Sequence, residues 1–264
     1  MANGVMILVG AVGLLIFLAF VIPPDYDESC APYSYGARAL DWGGVPCKRG
    51  IVNQCSDIYG QSPINLMTGD EGREATDADV VFVSDEMSCQ DELTVFHNKV
   101  VFPESCSPSL SLANLGYRLI QLHFHVGSEH TVDDVRFDGE LHLVHQSEAG
   151  ITVVGAFLDA SQDVASIDLE VILEIYEGGA HRRLTNDAWN PYSLVPSLDT
   201  YFTYQGSLTT PPCSSGIRWI VTQEALVISQ DQLARLGDLS PYKPNYRPIQ
   251  ARGSRTVIQY STGS

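Results

Sequence analysis

Residues 117–126 read YRLIQLHFHV, and the fold turns on whether this run is a strand. Strand side chains alternate between faces, so Gln121, His123 and His125 would project to one side and Phe124 to the other. Extended to residue 130, the stretch QLHFHVGSEH holds three of the chain's seven histidines. Working outward, short runs of the same character recur between turn signals: DVVFVS (79–84), LTVFHNKVVF (93–102), ELHLVHQ (140–146), ITVVGAFL (151–158), YFTYQGS (201–207), IRWIVTQEALVI (217–228) and TVIQY (256–260). Asp138–Gly139, between two of these runs, is a hairpin signal. One helix is predicted at SIDLEVILEIYEGG (166–179), which has spaced apolar residues and a terminal glycine. The pattern predicts a mainly β (α+β) fold: a single domain around a large, mostly antiparallel twisted sheet, with a few peripheral helices.

The chain has 264 residues, enough for one sizeable core. Acidic residues outnumber basic ones 32 to 15, a formal charge of −17. Such a surface repels nucleic acid and anionic membranes. The beginning of the chain differs. Residues 5–22, VMILVGAVGLLIFLAFVI, form an unbroken apolar run, long enough as a helix to cross a bilayer core of about 30 Å. No Lys or Arg precedes it and no small-x-small cleavage site follows, so residues 1–24 read as either an uncleaved membrane anchor or a signal peptide. Either reading carries residues 25–264 out of the cytosol. The six cysteines form no C-x-x-C pair, and their even number points to disulfides. Their spacing leaves the pairing open.

In the run 140–146, His142 shares a face with Glu140 and Val144, while Leu141 and Leu143 take the other. If this strand pairs with 121–126, His142 approaches His123 and His125. Three imidazoles facing one point, with no fourth protein ligand, describe a catalytic zinc site that keeps one position open for water. Nitrogen donors without a nearby cysteine favour Zn2+ over an iron–sulfur or structural cysteine site. Gln121 beside His123 and Glu140 beside His142 are placed to take the remaining imidazole N–H groups. His145 falls on the opposite face and reads as structural, and His181, next to Arg182 and Arg183, as a surface residue.

The motifs HFHVGSEHTVDD (123–134), ELHLVHQ, GQSPINL (60–66) and GSLTTPPC (206–213) together resemble the α-class carbonic anhydrases. YSYG (33–36) and NYRPIQ (245–250) extend the resemblance over roughly residues 33–260. It implies that His123, His125 and His142 bind Zn2+, and that carbon dioxide is hydrated reversibly to bicarbonate by zinc-hydroxide attack. In that scheme Glu129 accepts the Thr209 hydroxyl proton, so that Thr209 orients the attacking hydroxide, with Thr210 beside it. His130, Glu140 and Tyr204 correspond to the buried set bracing the site, and Asn245 offers its backbone carbonyl to His125. Val144, Val153, Leu208 and Trp219 correspond to the apolar wall where carbon dioxide rests. His97 stands about where the family's proton-shuttle histidine does.

Two departures bear on the branch of the family. Val126 replaces the Trp that commonly follows the HFH ligands in animal members, and the next loop is short, as in bacterial, plant and algal members. Cys55 and Cys213 lie near positions bridged in many secreted members; Cys89–Cys106 and Cys30–Cys47 would complete the set. Two alternatives compete with the enzyme reading. A silent binding or adhesion domain of this family typically loses a zinc histidine, and all three are kept here. A separate zinc esterase finds no H-E-x-x-H or G-x-S-x-G motif in its support.

Overall fold

The computed structural model describes residues 29–35, 41–74, 80–82, 93–96, 98–105, 108–178, 181–182 and 189–261. The apolar run at 5–22, His97, Cys89 and Cys106 lie outside these residues. Among the described residues, no helix is long and apolar enough to cross a membrane. The chain runs through β1 (Asn65–Leu66), β2 (Glu71–Glu74), β3 (Val80–Phe82), β4 (Leu93–Phe96), β5 (Lys99–Val101), β6 (Ser109–Leu112), β7 (Leu115–Val126), β8 (Thr131–Val132) and β9 (Val135–Arg136). It continues through β10 (Gly139–Ser147), β11 (Gly150–Asp159), α1 (Ile167–Glu177), β12 (His181–Arg182), β13 (Thr200–Ser207), β14 (Ser215–Val227), α2 (Gln230–Leu239) and β15 (Ile258–Ser261).

Among the described residues, one sheet follows the order β12-β4-β5-β7-β10-β11-β14-β13-β15-β2, with β6 and β3 branching from β7. Most pairs are antiparallel, as the alternating pattern predicts. The β11–β14 and β15–β2 pairs are parallel, which makes the sheet mixed. A parallel neighbour requires a crossover, and the chain between β11 and β14 provides it with α1 and β13. The run 93–102 is a hairpin of β4 and β5, not one strand.

The turn expected at Asp138–Gly139 is elsewhere. Gly139 already stands in β10 opposite Val126, and the tight turn joins β8 to β9 at Asp133 and Asp134, both with positive φ. Aspartate tolerates that conformation better than most residues. Gly139 answers to a packing demand: a Cβ there would meet the His125 carbonyl oxygen at 2.8 Å and Leu158 Cδ1 at 2.9 Å.

Alternation in β7, β10 and β11 divides the interior into two cores. Leu122, Phe124, Leu141, Leu143, Val154, Ala156 and Leu158 face α1, whose Leu169, Ile172, Leu173 and Tyr176 pack onto them. Val144, Val153, Phe157, Trp219 and Val221 belong to the other core. Each fully buried Leu or Val here contributes about 1.5–3 kcal/mol through removal from water. α1 starts at the Ser166 cap, whose hydroxyl accepts from the Leu169 N–H. The sequence reading assigned no helix at α2. Its signal is the capping box of Ser229 and Gln232, each accepting the other's backbone N–H.

His145 lies where the register of β7 and β10 shifts. It is buried, stacked on Tyr192, with Nε2 3.0 Å from the Tyr192 hydroxyl. Burial pushes its pKa down from 6.5 to about 3. The folded state therefore holds this imidazole neutral at pH values where the unfolded chain protonates it, so stability falls as pH drops below 6.5 toward 3. In metal-free protein, urea unfolding at stepped pH should show His145→Gln losing less stability over this window than wild type. The difference should reach about 1.4 kcal/mol per pH unit at most. Parallel acid limbs would remove His145 from this role.

Two disulfides, Cys30–Cys47 and Cys55–Cys213, tie down the lead-in, the second across 158 residues of sequence. Both match pairings that the resemblance implies, and they fit an oxidising compartment.

Candidate metal centre

β10 sits between β7 and β11 and brings the histidines together. His142 is the direct register partner of His123, and Glu140 that of His125. Residues directly opposite in an antiparallel pair hold their Cβ atoms about 4.5–5.5 Å apart, so the alternation read from sequence places all three imidazoles on one face. The metal-capable nitrogens of His123, His125 and His142 lie within 4.8 Å of one another.

Which nitrogen each ring offers is set by the bond its other nitrogen makes. His123 Nδ1 donates to Gln121 Oε1 at 2.8 Å, and His125 Nδ1 to the Asn245 carbonyl at 2.6 Å. His142 Nε2 donates to Glu140 Oε1 at 2.9 Å. With those protons committed, the lone pairs of His123 Nε2, His125 Nε2 and His142 Nδ1 are left to face each other. His123 Nε2 and His142 Nδ1 stand 3.3 Å apart. Two nitrogens on a tetrahedral ion at about 2.0–2.1 Å would be separated by about 3.4 Å, which is the spacing found. His125 Nε2 is buried without a hydrogen-bond partner. The donor set therefore fits a zinc-type cation: three neutral nitrogens converging on one point with no proton to share.

The electrostatics agree. Burial above all, then the neighbouring His125, His142 and Lys99, holds His123 well below the usual imidazole range. Burial likewise lowers His125, outweighing the opposing pull of Glu129. Neutral imidazole is the form that binds a metal.

Behind the rings lies a fully satisfied polar chain. Burial would raise the Glu140 carboxyl, but His130 and His142 hold it well below the usual carboxylate range. Its Oε1 also contacts His130 Nδ1 at 2.7 Å, and its Oε2 accepts from the His130 backbone N–H at 2.8 Å. His130 Nε2 meets the Tyr204 hydroxyl at 2.7 Å, which meets Ser62 Oγ at 2.7 Å. Room for this carboxylate depends on Gly155, where a Cβ would stand 2.9 Å from Glu140 Oε1.

Glu129 is fully buried. Its Oε1 accepts from the Arg247 backbone N–H at 2.8 Å, while Oε2 lies 3.5 Å from His125 Nε2 with no hydrogen-bond partner. The bond expected from Thr209 to Glu129 is not formed: the unpartnered oxygen turns toward the His125 ring. Arg247 and Ser62 went unassigned in the sequence, although their motifs carried the resemblance. The buried Arg247 guanidinium donates to Gln61 Oε1, to the Ser62 carbonyl and to the Cys55 carbonyl, joining the chain's end to the disulfide-tied segment. Burial lowers its pKa to about 10. Only its position among distant backbone carbonyls reveals this role, and spacing does not report that.

The three histidines open into a cavity of about 700 Å3. Val144, Val153, Leu208 and Trp219 form an apolar wall beside them, and Thr209 and Thr210 line it as well. His145 and His130 lie outside this lining. His181 belongs to the short strand β12, paired with β4.

The family model for eukaryotic-type carbonic anhydrase matches residues 48–261. A carbonic anhydrase from Nostoc is 30% identical over 257 residues, covering 93% of this chain and 96% of its own. Carbonic anhydrase 1 of Mus musculus is 32% identical over 260 residues, covering 83% and 98%. Among solved structures, the α-carbonic anhydrase of Thermovibrio ammonificans in complex with sulfanilamide has a TM-score of 0.71 at 32% identity, covering 86% of this chain and 99% of its own. A carbonic anhydrase of Chlamydomonas reinhardtii in complex with acetazolamide gives 0.66 at 29% identity, covering 87% and 99%.

Proposed function

Because the chain belongs to the eukaryotic-type (α) carbonic anhydrase family, we propose that it hydrates carbon dioxide reversibly to bicarbonate and a proton at a Zn2+ held by His123, His125 and His142. The observation that carries this reading is the set of three unprotonated nitrogens, each fixed by a partner on the far side of its ring. Bound there, zinc would make a water molecule acidic enough to act as a nucleophile at neutral pH, an effect for which carbonic anhydrases are themselves the reference case.

The chain's own residues supply the rest. Gln121, Asn245 and Glu140 fix the ring orientations, so little reorganisation accompanies reaction. Val144, Val153, Leu208 and Trp219 offer an apolar resting place to a substrate with no net charge or dipole. Thr209, buried at the cavity wall, orients the attacking oxygen through its hydroxyl, without a bond to Glu129, whose unpartnered Oε2 faces the His125 ring. The proton released must reach solvent, and His97 is assigned that transfer because histidine titrates near neutral pH. Residues 1–24 act as anchor or signal, delivering the domain to an oxidising compartment outside the cytosol.

Stopped-flow carbon dioxide hydration tests the reading. Wild type should be active, and Thr209→Val, which keeps shape but loses the hydroxyl, should lose about 100-fold in kcat/KM with zinc content unchanged. An active wild type matched by an equally active Thr209→Val would overturn the role of Thr209; a zinc-loaded, folded but inactive wild type would overturn the function.

A further inference from the structure

The cavity has a charge pattern that runs against the rest of the chain. The protein carries 32 acidic and 15 basic residues, yet the described residues lining the cavity include two cations, Lys99 and Arg118, and a single carboxylate, the exposed Glu104. Both cations stand on the β5–β7 wall. Lys99 is the direct register partner of the ligand residue His123, so its Cβ lies about 4.5–5.5 Å from that of His123 on the same face.

Arg118 reaches the cavity through a local irregularity. Strict alternation back from His123 and Gln121 would place Leu119 and Tyr117 on the cavity side and Arg118 away from it. The register of β7 against β10 shifts by one residue at Ile120. As a result Leu119 and Tyr117 pack into the core against α1, while Arg118, Ile120 and Gln121 line the cavity. Bulges often re-aim a side chain beside a functional site in this way. The Arg118 Nη1 atom is buried and has no hydrogen-bond partner. A buried guanidinium nitrogen without an acceptor is costly unless an anion visits it.

We propose that Lys99 and Arg118 form a cationic strip along one cavity wall that recognises the anionic side of the reaction, bicarbonate, opposite the apolar wall of Val144, Val153 and Trp219 that receives carbon dioxide. The inference rests on the function proposed above and adds to it two named cations that meet the anion. Lys99 stands opposite the ligand residue His123 and Arg118 five residues earlier on β7. The negative surface would otherwise oppose entry of an anion, and the strip offsets that locally.

The test uses the full-length zinc-loaded protein with Lys99→Gln, Lys99→Arg, Arg118→Gln and the double Gln variant. Three readouts are compared: KM for bicarbonate in dehydration, KM for carbon dioxide in hydration, and the inhibition constant of thiocyanate as an inert monovalent anion. Both kcat/KM values stay tied through the reaction's equilibrium constant, so the signature lies in KM and in thiocyanate inhibition. Lys99→Gln should raise the bicarbonate KM and the thiocyanate constant about tenfold, Arg118→Gln by less, and the carbon dioxide KM should move less than about twofold. Lys99→Arg should restore wild-type values, which a merely structural role for the lysine stem would also allow, but only a charge role makes both anion effects shrink at high ionic strength. Unchanged bicarbonate and thiocyanate constants in the double variant, with wild type active, would overturn the inference. A wild type without hydration activity would instead overturn the proposed function.

Discussion

His142→Ala should abolish carbon dioxide hydration and leave a folded protein that no longer retains zinc. His142 provides one of three converging nitrogens, and its partner across the strand pair, His123, lies 3.3 Å away nitrogen to nitrogen. Loss of an outer hydrogen-bond partner typically costs about 10–100-fold in metal affinity, and loss of a ligand should exceed that. Activity should therefore fall by at least about 1,000-fold, with zinc measured at well below one ion per chain after desalting. The imidazole lies on the cavity face, while Leu141 and Leu143 anchor the strand in the opposite core, so the fold should survive. Near-UV circular dichroism checks that point. Retained zinc together with wild-type turnover would contradict the assignment.

Glu140→Ala should be the most damaging single change for stability. One fully buried carboxylate here satisfies His130 through ring and backbone and His142 through its ring. Removing it leaves those donors buried without acceptors and cuts the chain running on to Tyr204 and Ser62. Each buried donor left without its acceptor costs about 1–3 kcal/mol, and three are left here. Zinc affinity should fall as well, by about 10–100-fold, because His142 loses the group that fixes its ring. Urea unfolding and competition with a chelator measure the two effects separately. A variant as stable as wild type would mean that the network relaxes onto other acceptors.

Much of this site was legible in the sequence because strand alternation is a strict period of two. His123, His125, His142, Glu140 and Gln121 could be assigned to one face from spacing alone, and the register of β7 with β10 places them there. What alternation does not carry is its own interruption. The shift at Ile120 that sends Arg118 to the cavity and Leu119 to the core leaves no mark in YRLIQLHFHV. The parallel pairing of β11 with β14 is equally silent, since both strands read as short apolar runs whichever way their neighbour points. The turn signal at Asp138–Gly139 was real as a glycine requirement but wrong as a turn, because the glycine relieves crowding against His125 and Leu158. Long-range polar contacts such as those of Arg247 with Gln61, Ser62 and Cys55 join residues 185 to 192 positions apart, and no local pattern encodes them. The roles of Glu129, Thr209 and the apolar wall came from resemblance, not from spacing.

The central claim is that the three convergent nitrogens form a single zinc site on which hydration depends. Titrating metal-free protein with Zn2+ while following carbon dioxide hydration tests it most directly. The account predicts activity rising linearly and levelling at one zinc per chain, with His142→Ala silent throughout. Full zinc binding at one ion per chain without hydration activity, or hydration activity indifferent to the metal, would contradict it.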